Sequence, residues 1–278
     1  ITGEQATTAA RIGDLTLACP RCRAPLVPDG DSAVRCTVEG DRFPNEDGIW
    51  CFLLPERERR LAQFMAEYAA VRRAEGRGDD DPSFYRALPF HDLTGRFVDD
   101  WRIRAVSYQA LVNRVLPPLE TRWRRPLRIL DLGAGNCWLS YRLARRGHSV
   151  VAVDLLTDLR DGLGAYAHYD AVFTPVQAEF DRLPFADGQA DLAIFNASLH
   201  YSPDYATTLR EVLRVLAPEG QVVILDSPVY RDARSGEQML REREAEFTRR
   251  FGFPSNSLPS EGYLTVGRLD SLAAALGL

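Results

Sequence analysis

The residues best placed to do chemistry together are Asp131-Leu-Gly133-Ala-Gly135-Asn-Cys137 and Asp154. Glycines at such a point permit a tight turn and let a ligand approach the backbone closely. Asp154 lies 19 residues beyond Gly135, at the end of the apolar run Ser149 to Asp154. An acid there can accept hydrogen bonds from both hydroxyls of a ribose. Asp131, directly ahead of the glycines, would repel a phosphate. It suits a cationic ligand that carries an amino acid.

These residues need a scaffold that brings strand ends together. From Arg128 onward, strands alternate with helices. Arg128 to Asp131 reads as a strand, Trp138 to Arg146 as a helix and Ser149 to Asp154 as a second strand. Phe173 to Val176 and Leu192 to Asn196 read as the third and fourth. Leu209, Val212, Leu213 and Leu216 have helical spacing. Pro218-Glu219-Gly220 reads as a turn before a fifth strand, Val222 to Asp226. Such alternation predicts a parallel sheet covered on both faces. Further motifs follow in order: Glu179-Phe180-Asp181-Arg182-Leu183-Pro184-Phe185, Ala190-Asp191 to Asn196, and Leu213 to Gly220.

On these motifs the run from Arg128 to Asp226 resembles the class I S-adenosylmethionine (SAM)-dependent methyltransferases. The resemblance implies an α/β class with a Rossmann-like, doubly wound, mostly parallel sheet, and SAM as cofactor. It implies that Asp131, Gly133 and Gly135 line the methionine end of SAM and that Asp154 holds the ribose. Glu179 would face the adenine amino group, with Phe180 against the ring. Asn196 would stand where the family places a backbone contact to the methionine moiety. Cys137 departs from the family, in which a third glycine is common.

A second group of reactive side chains lies near the start. Cys19-Pro-Arg-Cys22 is followed by Cys36-Thr-Val-Glu39-Gly40 and by Cys51. Paired hooks of this kind present thiolates tetrahedrally to zinc. The stretch 17–54 is similar to the zinc-ribbon module that precedes some class I methyltransferases, including certain bacterial ribosomal-RNA guanine methyltransferases. Carried over, Cys19, Cys22, Cys36 and Glu39 are the candidate zinc ligands. Glu39 stands in the usual fourth position, and Cys51 lies in an apolar run.

A methyl donor on sulfonium asks the protein mainly to align an acceptor and exclude water. A base is needed only where the acceptor loses a proton. His200, in Ala197-Ser-Leu-His200-Tyr201 after the fourth strand, is the first candidate. Tyr85, His91 and Arg96, in the polar and aromatic stretch 84–96, are candidate acceptor contacts, with Tyr85 and His91 counted as catalytic candidates.

The organisation expected is a ribbon module over 1–54, a helical cap over 55–125 and the SAM-binding domain over 126–278. In the cap, Leu61, Phe64, Met65, Tyr68 and Val71 share one helical face. Trp101, Ala105, Tyr108, Val112 and Val115 share another, and the charged break 75–82 reads as a mobile loop.

The net charge of −5 points away from nucleic acid and toward a small-molecule acceptor. The ribbon itself, with four Arg against six Asp and Glu from Cys19 to Cys51, is acidic. Arg122, Arg124, Arg125 and Arg128 are the cluster that favours the rival reading, an RNA acceptor. A non-catalytic SAM-binding protein is the other rival. No stretch has the ~20 apolar residues of a membrane helix, and the polar start lacks a signal-peptide pattern, so a cytoplasmic location is expected. The start also lacks an initiator Met, so the recorded start need not be the gene's. After Asp226 no pair of strand-like runs remains, since Leu264-Thr-Val is too short to count. The expectation is therefore five parallel strands in the order 3-2-1-4-5 without a terminal hairpin. Truncation, a disordered tail or a covering partner would then account for the bare edge.

Overall fold

The computed structural model describes residues 8–253 and 258–278. The first residues of the polar start and part of the expected 252–262 loop thus lie outside the described residues. The N-terminal module holds a small pair, β1 (Arg11–Ile12) and β2 (Leu15–Thr16), then β3 (Leu26–Pro28), β4 (Ala33–Cys36), β5 (Arg42–Glu46) and β6 (Ile49–Cys51). Three helices follow: α1 (Pro55–Ala74), α2 (Pro82–Ala87) and α3 (Val98–Ala110). The last continues through a π-helical turn, Leu111–Val115, into α4 (Leu116–Trp123). Pro55 and Pro82 open their helices, where a missing N–H costs nothing.

The remaining elements are β7 (Arg128–Leu132), α5 (Trp138–Ala144), β8 (Ser149–Asp154), β9 (Thr174–Gln177), β10 (Ala190–Asn196), α6 (Tyr205–Val215) and β11 (Leu216–Leu225). They are followed by β12 (Val229–Tyr230), α7 (Ala233–Phe251), β13 (Leu264–Thr265) and α8 (Val266–Leu276). The central sheet runs β11-β10-β7-β8-β9-β6-β5-β4-β3. Its parallel part, β11 to β9, has the expected 3-2-1-4-5 order. β7, β8 and β10 are mostly apolar and buried on both faces, as strands covered by two layers must be.

Three features differ from the sequence reading. First, the N-terminal module does not stand apart. β6 pairs in parallel with β9, placing Trp50 beside Val176 and Cys51 beside Gln177, so the module prolongs the sheet. Second, Pro218-Glu219-Gly220 lies inside β11. The register jumps from Ala190–Leu216 to Leu192–Gln221, and the intervening residues bulge where Pro218 and Glu219 are exposed. Third, two strands do form after Asp226. β12 and β13 pair in parallel with each other and not with β11. The stretch around Leu264 was set aside as too short, and it gains its strand from a partner across α7. The expectation that 227–278 holds no strands is thereby overturned, while among the described residues no terminal hairpin joins the central sheet.

The break at 75–82 is tied down. Asp79 N–H donates to the Tyr85 hydroxyl at 3.1 Å, and the Arg77 guanidinium lies 3.7 Å from the Phe97 ring centre.

Candidate active site

The C-terminal ends of β7, β8 and β10 open into one cleft, roofed by α1, with about 980 Å³ of empty space including its open mouth. Gly133, Gly135, Asp154, Glu179 and Phe180 line it. Gly133 has φ +77°, and a Cβ there would lie 2.3 Å from Ser198 Cβ, so no side chain fits. The Gly135 amide donates to Asp154 Oδ2 at 2.8 Å and the Leu156 amide to Oδ1 at 2.9 Å. Two amides thus fix the Asp154 carboxylate at the cleft wall while each oxygen keeps a free lone pair.

Asp131, at the end of β7 just ahead of the glycine turn, is 1% exposed and is not itself part of the cleft lining. Ser140 donates to its Oδ2 at 2.7 Å, and Oδ1 has no partner. Burial pushes its pKa up to about 7, against the lowering pull of the Ser140 bonds. An orphaned buried carboxylate oxygen, a turn with no room for a Cβ and a fixed acid on the next strand suit a ligand with an ammonium group and a ribose. SAM fits that set.

Glu179 faces the cleft, but its carboxylate is gripped by Arg57 of α1, with Nη2–Oε1 at 2.6 Å and Nε to both oxygens at 3.0 and 3.1 Å. Phe180 meets Phe195 edge-on at 5.3 Å between ring centres. Asn196 does not reach the cleft. Its Oδ1 is buried without a partner, and the two residues after it, Ala197 and Ser198, supply the wall instead. Ala197 has φ +54°, a left-handed conformation that turns the chain sharply there.

The structure does not bring His200, Tyr85 or His91 into this cleft. His200 is 7% exposed, its Nδ1 has no partner, and burial lowers its pKa to about 4. A base that weak is neutral and poorly suited to take a proton. Tyr85 is fully buried, bonded through its hydroxyl to the carbonyls of Asp79 and Arg160 at 2.7 Å and stacked on His168 at 4.3 Å. It locks the loops together. His91 is exposed on the loop after α2, and Arg96 stands 3.9 Å from Asp79, away from the cleft.

Of the expected helical cap, α1 is the part that roofs the cleft. Arg57, Leu61, Phe64, Tyr68 and Arg72 all line the cleft, at spacings of four, three, four and four that place them on one face of α1. The apolar members are legible in the sequence. The flanking arginines are the signal that was passed over. Arg72 pairs with Asp161, a second missed residue, in the loop after β8. Phe64, Tyr68 and Tyr201 form a triangle with ring centres 5.7 to 6.4 Å apart.

In the N-terminal module, the Cys19, Cys22 and Cys36 sulfurs all lie within 4.8 Å of one another, and Glu39 is not among them. The arginine cluster at 122–128 is largely neutralised. Arg125 and Arg128 both grip the buried Asp191 at 2.7 and 2.9 Å, and Arg122 pairs with Glu219 at 3.5 Å.

The family model described as a methyltransferase domain matches residues 130–224. A malonyl-[acyl-carrier protein] O-methyltransferase of Halorhodospira halophila is 36% identical over 121 residues, 43% of this chain and 41% of that protein. An arsenite methyltransferase of Aquipseudomonas alcaligenes is 29% identical over 126 residues, 41% of this chain and 36% of that protein. A solved arsenic(III) SAM methyltransferase of Chlamydomonas reinhardtii overlaps 55% of this chain and 52% of its own, with 28% identity and a TM-score of 0.40. The chain spans less than half the length of the first curated relatives it matches. The matched segment coincides with the strands and turns that carry Asp131, the glycine turn, Asp154 and Glu179, and on that ground residues 130–224 form a SAM-dependent methyltransferase domain.

Proposed function

We propose that the protein transfers a methyl group from SAM to a small-molecule acceptor in the cytoplasm. The observation that carries this reading is the single cleft shared by Gly133, Gly135, Asp154, Glu179 and Phe180, with the unpaired oxygen of Asp131 beneath it. SAM, when bound, supplies an electrophilic methyl on a sulfonium. Asp154 holds the ribose, Asp131 draws the methionine ammonium toward the glycine turn, and Phe180 lies against the adenine ring. Glu179 is shared between the adenine amino group and Arg57.

The acceptor side is the wall of Phe64, Tyr68, Tyr201 and Pro203. Its aromatic faces exclude water and stabilise a sulfonium by cation–π attraction. Tyr68 and Tyr201 replace His200 as the groups that touch the acceptor. The internally paired arginines 122, 125 and 128 favour a small molecule over RNA. No described helix is long and apolar enough to cross a membrane. Cys19, Cys22 and Cys36 have the chemistry and the clustering to hold zinc, a structural ion that would pin the two hooks of the module.

The test is transfer of labelled methyl from SAM into a metabolite extract and, in parallel, into ribosomal RNA. Label in the small-molecule fraction is expected. Label in RNA alone would reverse the acceptor, and none in either, with SAM bound, would support the non-catalytic rival.

A further inference from the structure

The two cysteine hooks are built alike. In the first, the Arg23 amide donates to the Cys19 carbonyl at 2.8 Å, Arg23 is left-handed at φ +64°, and the amides of Arg21 and Cys22 turn onto the Cys19 sulfur. In the second, the Gly40 amide donates to the Cys36 carbonyl at 3.2 Å, and Gly40 has φ +74°. The amides of Val38 and Glu39 approach the Cys36 sulfur at 3.4 and 3.3 Å. Residue for residue, Glu39 occupies in the second hook the place of Cys22 in the first. Cys22 joins the cluster, its sulfur 3.5 Å from that of Cys36. Glu39 does not, and it is exposed.

The reason is reach. The hook sets its fourth residue so that an atom one bond beyond Cβ meets an ion at a Zn–S distance of about 2.3 Å. A glutamate oxygen lies three bonds beyond Cβ and overshoots that point. Cys51 offers no substitute, since its thiol faces the Ile49 carbonyl at 3.6 Å. Cys19 and Cys36 are buried while residues 37–40 are exposed, so the unfilled corner faces solvent.

Resting on the reading of this module as a zinc site, we propose that Cys19, Cys22 and Cys36 alone hold the ion and that its fourth position takes an exchangeable neutral donor from solution, not Glu39. Charge selects the donor class. Three thiolates around a divalent ion already leave one net negative charge. Arg21, within the first hook, is taken up by Asp41 and Glu56, both at 2.8 Å. Water or a neutral nitrogen ligand therefore suits the open corner better than another anion.

The experiment uses the full chain, purified without chelator, with its ion replaced by Co²⁺ as a spectroscopic probe. About one ion per chain is expected in the wild type and in Glu39→Gln, with affinities within roughly threefold, whereas Cys22→Ser should lose on the order of a hundredfold or more. Imidazole should shift the Co²⁺ d–d bands saturably in wild type and Glu39→Gln alike, a readout that holds even if Cys22→Ser fails to fold. A loss of about tenfold or more in Glu39→Gln, or bands indifferent to imidazole, would overturn the open corner while leaving a metal site. No ion in the wild type would overturn the zinc reading and this inference together.

Discussion

Burial pushes up the pKa of both Asp131 and Asp154. Asp154 carries two amide donors on its carboxylate, yet desolvation still raises its pKa. Replacing it with Ala should weaken SAM binding by roughly 1–3 kcal/mol, because buried ribose hydroxyls lose an ionised partner. Unchanged affinity in calorimetric titration would remove Asp154 from the site. Asp131 has one free oxygen and a pKa near 7. In the unfolded chain it ionises near the ordinary carboxylate value of 3.8, while in the fold it stays protonated to about 7. The unfolded state therefore sheds this proton first, and stability should fall as pH rises from about 4 to 7, on the order of a few kcal/mol. An ammonium group beside Oδ1 favours the ionised acid. SAM affinity should then climb over the same interval, by at most about tenfold per unit, and Asp131→Asn should flatten both trends. A wild-type affinity independent of pH between 5 and 7 would disprove the contact. At this scale the sequence was legible where the backbone turn itself dictates the residue, as at Gly133 and Asp154. It was misleading at His200 and Tyr85. Side-chain direction and burial are set there by the packing of distant segments, which residue type does not encode.

α1 is the element on which the cleft depends. Few of its residues are buried, Leu61 and Val71 among them, so its hold on the domain rests heavily on two ion pairs. Arg57 in its first turn grips Glu179, and Arg72 in its last turn grips Asp161. Both acids line the cleft proposed to receive SAM. Fifteen residues of helix, about 22 Å, separate the two arginines, enough to run along the whole cofactor. Phe64 and Tyr68 face inward between them. SAM should therefore slow amide exchange along residues 55–74. Arg57→Ala should speed it, since Glu179 is left buried without its cation at a cost of roughly 1–3 kcal/mol. Exchange in α1 indifferent to both would show that the helix does not close over the cofactor. The helix itself could be read from its apolar spacing. Its role could not, because the partners Glu179 and Asp161 lie far along the chain, and nothing local marks Arg57 apart from the other arginines of that turn.

On the scale of the whole molecule, the N-terminal module and the methyltransferase domain share one sheet and one core cluster. The Phe52 amide donates to the Gln177 carbonyl at 2.8 Å, extending the β6–β9 pairing. Ala18 N–H reaches the Pro184 carbonyl at 3.0 Å, and Ala186 N–H the Thr16 carbonyl at 2.9 Å. Leu17, Phe43, Phe52 and Leu54 pack in the same cluster as Leu130, Val153, Val176 and Phe185. The boundary drawn at residue 54 followed a true local signal, the end of a turn-rich segment and the start of a helix. Three-residue β6 gave no sign that its partner would be β9, since strand pairing across such a separation is decided by which edge is open once the domain has formed. The consequence is thermodynamic. Each of those four side chains is at most 2% exposed, and burying one contributes about 1.5–3 kcal/mol. Removing residues 1–54 would expose their partners and bare the β9 edge, an invitation to aggregation. The chain should unfold in a single calorimetric transition, the fragment 55–278 should be insoluble or unfolded, and chelation should lower the one melting temperature rather than reveal a second, earlier transition. A fragment that folds and binds SAM with wild-type affinity would show that the shared sheet is a seam between independent units.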